Sequence, residues 1–136
     1  MMIFVHLTSE RNVATILRDG ITRMREQDDH PAGIFAMPAA RSFHVSHQWL
    51  HELKDRGHLR VSAMYFRVPE PEPVWIGHYR GCHEQLTAKQ AMDRFLHEEQ
   101  PKGFEVIIPR EIFPNEIYRV HHLARVLPVN RILQTH

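Results

Sequence analysis

The stretch Met2–Ile21, MIFVHLTSERNVATILRDGI, decides the architecture. Met2 to Val5 are large and apolar and predict a buried strand that ends at His6. Ser9 stands where it would cap a helix directly afterwards. Val13, Ile16 and Leu17 recur at helical spacing, and Gly20 falls where a left-handed residue ends a helix. A strand that turns straight into a helix therefore opens the fold.

Working outward, Thr22 to Ala32 is polar, carries Asp28, Asp29 and Pro31, and predicts a loop before a very short strand, Gly33 to Ala36. Pro38 to Leu53 predicts a second helix, with Ala40, Phe43, Leu50 and Leu53 towards one side, Pro38 in its first turn and Gly57 beyond its end. Val61 to Val68 (VSAMYFRV) is rich in β-formers. The Pro69–Pro73 run stops it, because proline donates no ladder hydrogen bond. A shorter strand is expected over Val74 to His78. Thr87 and Gln90 match a capping box in front of a helix from Ala88 to Glu99. Gly103 to Pro109 (GFEVIIP) and Ile117 to Val126 (IYRVHHLARV) predict two late strands separated by a proline-containing turn at Phe113 to Asn115. This order lacks regular βαβ alternation, so the expectation is an α+β fold with a mixed or antiparallel sheet.

Composition narrows the class. A chain of 136 residues has the usual size of one domain. With 43% hydrophobic and 24% charged residues and a formal charge of +1, it is neither disordered nor basic enough for a duplex-DNA binder held by phosphate contacts. Cys82 is the only cysteine, which excludes an intramolecular disulfide and a multi-cysteine zinc site and fits a reducing compartment. The apolar start is short and no long apolar run follows, so neither a signal peptide nor a membrane span is expected, and the cytoplasm is the expected location.

Three groups of residues invite a chemical reading. His44, His47 and His51, among twelve histidines, fall at helical spacing on the second predicted helix. Without placed carboxylates or cysteines to complete a ligand set, a solvated helix face is the expectation and no metal site is assigned. His121 and His122 on a strand point to opposite faces and are read as structural. Glu105 interrupts an apolar strand. By alternation it shares a face with Ile107, while Phe104, Val106 and Ile108 share the other, so pattern alone favours a strand whose second face is wet. His6, at a strand end, reads either as a cleft-lining residue or as a satisfied core histidine.

Three separated segments, in their order, resemble the His-Tyr-Glu branch of the ADP-ribosyltransferase superfamily. Phe4-Val5-His6-Leu7-Thr8, the helix Asn12 to Leu17 and Asp19-Gly20-Ile21 look like that family's first strand and helix, and are similar to the DarT-like toxins. Gly33-Ile34-Phe35-Ala36 followed by Ala40-Arg41-Ser42 looks like the Gly-Ile-Tyr-Phe segment and the small-residue helix start of the poly-ADP-ribose polymerases. Gly103 to Pro109 looks like the strand that begins with the catalytic glutamate. The chain departs from the pattern at Leu7, where the family often has glycine, and at Phe35, which keeps the aromatic face of the family's tyrosine and loses its hydroxyl.

The resemblance implies a single domain with a split mixed or antiparallel sheet and flanking helices, and an NAD-dependent ADP-ribosyltransferase that cleaves the nicotinamide N-glycosidic bond. Glu105 would stabilise the sugar cation by holding the 2′-hydroxyl, and His6 would anchor the adenosine ribose. Leu7, Thr8 and Gly33 would orient the dinucleotide, and Phe35 would stack on nicotinamide. Arg11, Arg23, Arg25 and Arg41 are the candidates for the pyrophosphate, Arg41 foremost. His78, Tyr79, Arg80 and His83 would contact the acceptor, a nucleic acid before a small molecule or a protein. Two other readings stand beside this one: a catalytically silent NAD- or nucleotide-binding module of the same fold, and an RNA 2′-phosphotransferase-like enzyme.

Overall fold

The computed structural model describes residues 1–22, 24–27, 30–39, 60–99 and 103–122. The described elements are β1 (Met2–Ser9), α1 (Val13–Asp19), β2 (Arg25–Gln27), β3 (His30–Pro38), β4 (Val61–Val68), β5 (Pro73–His78), β6 (His83–Thr87), α2 (Ala88–Leu96), β7 (Phe104–Ile108) and β8 (Ile117–His122). Seven strands form one path in the order β6-β5-β7-β3-β1-β4-β8, and β2 pairs with β3 beside it. Every pairing is antiparallel, which makes the fold α+β and settles the choice between a mixed and an antiparallel sheet.

The two halves of the sheet meet weakly. β1 pairs with β4 along its whole length, from Met2↔Val68 to Ser9↔Val61. With β3 it shares only Phe4↔Pro38 and Val5↔Met37. β3 then turns its next residues to β7, as Ile34↔Ile108, Phe35↔Ile107 and Ala36↔Val106. Beyond Val5 and Met37, β1 and β3 are no longer partners.

Local sequence accounts for most element ends. Gly20, at φ 87°, adopts a backbone that L side chains avoid and donates its amide to Ile16 at 2.7 Å, closing α1. A helix this short turns only Val13 and Ile16 inward, and Leu17, the third apolar residue at helical spacing, is 49% exposed. Ser9 makes no side-chain cap, and a 3₁₀ turn at Glu10–Asn12 precedes α1 instead. At α2 the capping box forms as expected: the Gln90 amide donates to Thr87 Oγ1 at 3.1 Å, and the Thr87 amide donates to Gln90 Oε1 at 3.0 Å. The turn after β4 also supports this helix, since the Ala88 amide donates to the Glu72 carbonyl at 2.8 Å.

Several expected elements change. β1 runs on through His6 to Ser9, because β4 offers partners for all eight residues. β3 is longer than expected, and Pro38 closes it opposite Phe4 rather than opening a helix. β6 was not foreseen. The remainder of the second predicted helix, from residue 40, with the stripe of His44, His47 and His51, lies outside the described residues, as do residues 123–126 of the last predicted strand.

The core lies between the sheet and α2, where Phe95 meets Phe104 edge-on at 6.3 Å and both Val106 and Ile108 are fully buried. Phe4 and Phe66 stack at 6.2 Å on the neighbouring half. Removing a ring such as that of Phe95 costs about 3–5 kcal/mol. The β5–β7 segments are also held by Arg110, which forks to Glu72 (Nε–Oε2 2.7 Å, Nη2–Oε1 3.0 Å) and to Glu116 (Nη1–Oε1 2.8 Å, Nη2–Oε2 2.7 Å).

Candidate functional site

Strand order puts Glu105, Phe35 and His6, all expected at the site, on adjacent strands. Glu105 on β7, Phe35 on β3 and His6 on β1 occupy three successive strands in the middle of the sheet. Phe35 lies opposite Ile107, so the pleat puts Phe35 and Glu105 on one face. His6 follows Val5, the last residue of β1 that pairs with β3. Its Nδ1 donates to the Phe35 carbonyl oxygen at 2.8 Å.

That bond fixes the histidine's chemistry. A carbonyl only accepts, so Nδ1 carries the proton and Nε2 presents a lone pair in the neutral ring. Burial holds the imidazole below the usual histidine range, and the bond to Phe35 offsets only part of that effect. Neutral His6 can therefore accept a hydroxyl proton at Nε2 while staying anchored to β3. The pleat carried through Val5↔Met37 assigns His6 to the face opposite Glu105. The two residues therefore lie on opposite faces of the sheet, with Glu105 directed to His83 rather than to β1.

Glu105 is not on a wet face. Its side chain is 1% exposed, and Ile107 beside it is fully buried. The reason lies two strands away. Gly77 on β5 is opposite both Glu105 on β7 and His83 on β6. With no side chain at Gly77, the His83 ring crosses that position, its Cδ2 lying 3.1 Å from where a Cβ would stand, and places Nε2 3.1 Å from Glu105 Oε1. His83 is likewise 1% exposed. A carboxylate buried in an apolar sheet is thus supplied with a ring donor.

This separates His83 from the group expected to contact an acceptor. His78, Tyr79 and Arg80 do assemble at the β5–β6 turn: the His78 and Tyr79 rings stack at 4.8 Å, and the Arg80 guanidinium lies 5.1 Å from the Tyr79 centroid. His78 also packs against Gly103, whose φ of 83° requires glycine and whose missing Cβ would collide with the ring, standing 2.8 Å from its Cδ2 and closer still to Nε2. His83 points inward instead, to Glu105.

The other expected ligands divide. Thr8 is buried, and its Oγ1 accepts from Asn12 Nδ2 at 3.2 Å. Leu7 pairs with Ala63 and is half-buried. Gly33 has a structural reason of its own, since a Cβ there would come within 2.6 Å of Ile107 Cγ2 on the adjacent strand. Arg11 is exposed beside α1. Arg23 and Arg41 lie outside the described residues, and Arg25 lies in β2. Among the described residues no group of histidines, cysteines and carboxylates is arranged to hold a metal, and no helix is long and apolar enough to cross a membrane. Sequence reasoning missed Gly77 and the partnership of His83 with Glu105, because both depend on β6 and β7 pairing with the two edges of β5.

Comparison with family models, curated proteins and solved structures found no match.

Proposed function

We propose that the protein is an NAD-dependent ADP-ribosyltransferase of the His-Tyr-Glu type, with NAD entering where β1 and β3 separate. The observation that carries this reading is the strand succession β7-β3-β1, which sets Glu105, Phe35 and His6 on neighbouring strands although they are far apart in sequence. Nicotinamide departure leaves positive charge on the ribose, and in this reading Glu105, buried on β7, supplies the compensating carboxylate. His6 accepts a ribose hydroxyl at Nε2, with Nδ1 tied to Phe35. The Phe35 ring offers an aromatic face to the nicotinamide. His83 holds Glu105 in a fixed orientation, and His78, Tyr79 and Arg80 at the neighbouring turn are the acceptor-facing group.

Nicotinamide release from NAD by the wild-type protein and its Glu105→Gln variant, with and without single-stranded nucleic acid, tests the proposal. The amide keeps an oxygen for His83 and removes the negative charge. Release by the wild type that falls at least about a hundredfold in the variant supports the reading, since loss of one preorganised electrostatic group has that scale. Equal release from both proteins refutes it.

The burial of Glu105 against His83 favours a second reading, a nucleotide-binding module of the same architecture that has lost turnover. NAD binding by titration, with no nicotinamide released, would select it.

A further inference from the structure

The sheet carries a second constellation at its opposite edge, outside the proposed NAD site. β4 and β8 pair as Ala63↔His121, Met64↔Val120, Tyr65↔Arg119 and Phe66↔Ile117, with an irregularity between the last two pairs that leaves Tyr118 as an extra residue. Strict alternation would send Tyr118 and Arg119 to opposite faces. The bulge instead brings both against Tyr65. The Tyr65 and Tyr118 rings meet edge-on at 6.2 Å, the Arg119 guanidinium lies 5.1 Å from the Tyr65 centroid, and that of Arg67 lies 4.3 Å from the Tyr118 centroid. Arg67, Tyr118, Tyr65 and Arg119 thus form one continuous row, two rings meeting edge-on with a guanidinium over the outer side of each.

The row faces solvent. Tyr118 is 39% exposed, and Arg67, Arg119 and His121 are exposed as well. Among the described residues neither arginine forms an ion pair with a carboxylate, whereas Arg110 nearby in sequence is fully engaged by Glu72 and Glu116. Protection of an edge strand against unwanted pairing requires only the charges. It does not explain a tyrosine, Tyr118, left exposed beside the half-buried Tyr65, with a guanidinium over each ring.

From these contacts we infer that the β4–β8 face is a binding surface for single-stranded nucleic acid. Aromatic rings offer stacking planes to unpaired bases, and unpaired arginines beside them meet the phosphates or extend the stack. A duplex hides its bases and leaves the tyrosines without partners. The charge of the patch is positive and its rings are already oriented, which suits a polyanion with exposed π-faces rather than an apolar or acidic protein surface. This inference does not depend on NAD chemistry.

The test is fluorescence anisotropy of labelled oligothymidylate and oligouridylate of about 12 nucleotides, a length within the span of a single such surface, with a duplex of equal length, in the absence of NAD. The expected result is binding of a single strand in preference to the duplex. Tyr118→Ala weakens it about tenfold or more, and Tyr118→Phe retains it, because the ring and not the hydroxyl makes the contact. Arg119→Gln lowers the slope of log affinity against log salt by about 0.7, the value for one phosphate of a single strand. The DNA and RNA probes distinguish which strand is preferred. Failure of the wild type to bind either probe overturns the inference. So does unchanged affinity in Tyr118→Ala, or a loss confined to Tyr79→Ala and Arg80→Ala, which would move the contact to the β5–β6 turn.

Discussion

The His83 imidazole lies across the backbone of Gly77 and meets Glu105 at 3.1 Å, so a glycine on the middle strand makes an ionisable contact between the two strands beside it. A methyl group at Gly77 would stand 2.5 Å from the Cys82 carbonyl oxygen and 3.1 Å from the ring. Gly77→Ala is therefore expected to lower stability by about 1–3 kcal/mol, the usual penalty for overpacking. His83→Leu, which strips the buried carboxylate of its ring partner, is expected to cost about 3–5 kcal/mol. Urea unfolding of the two variants and their combination measures both. If Gly77 serves to admit the ring, the double variant loses less than the sum by about 0.5 kcal/mol or more; strict additivity would refute that role.

His6 gives the protein a stability that depends on pH near neutrality. Its folded-state pKa is held below the ordinary 6.5, chiefly by desolvation. The unfolded chain therefore binds the proton first as pH falls. The contribution is fully present above about 6.5 and is lost as pH drops from there through the lower folded value. His6→Gln can retain a donor for the Phe35 carbonyl and does not titrate. Denaturant midpoints measured between pH 8 and pH 5, a window chosen to span roughly the histidine range, should decline in the wild type and be flatter in the variant. Parallel profiles would exclude His6 as the source.

Arg110 joins Glu72, in the turn after β4, to Glu116, ahead of β8. The group is partly shielded and makes two forked pairs, so it is worth more than a free surface ion pair. Arg110→Lys keeps the charge and loses both forks, with an expected cost of about 1–3 kcal/mol by thermal or urea unfolding. The Arg110 hydrogen bond holds the Glu116 carboxyl below its ordinary 4.5. This stability is present above that value and disappears as pH falls through the lower folded one, so Arg110→Lys should also make acid unfolding less steep.

The legible parts of the sequence were those set by near neighbours. Val61 to Val68 became β4 with the expected ends, because the β-rich run and the prolines after it act locally. Thr87 and Gln90 cap α2 as their spacing implies. β6, HEQLT, was not legible: it has one large apolar residue, and its strand character comes from pairing with β5. Prolines at 31 and 38 concealed the full extent of β3. The error at Glu105 has the same origin. Alternation correctly gave it the face of Ile107, yet whether that face is wet depends on His83 arriving across Gly77, a relation between three strands. The three residues of the proposed site were singled out from their segments, and the strand order sets their strands side by side.

That order also constrains how the chain reaches its native state. Among the described strands only β2–β3 and β5–β6 join strands consecutive in sequence; β1–β4, β4–β8, β3–β7 and β5–β7 each close a long loop before any ladder forms. Such non-local pairing makes folding slow, in the millisecond-to-second range expected of sheet proteins with about this kind of connectivity. During synthesis, β3 and β4 emerge well before β7 and β8, and each waits with one backbone edge open. The centre of the sheet, where β1, β3 and β7 lie side by side, is therefore completed late, after Phe104 to Ile108 has emerged.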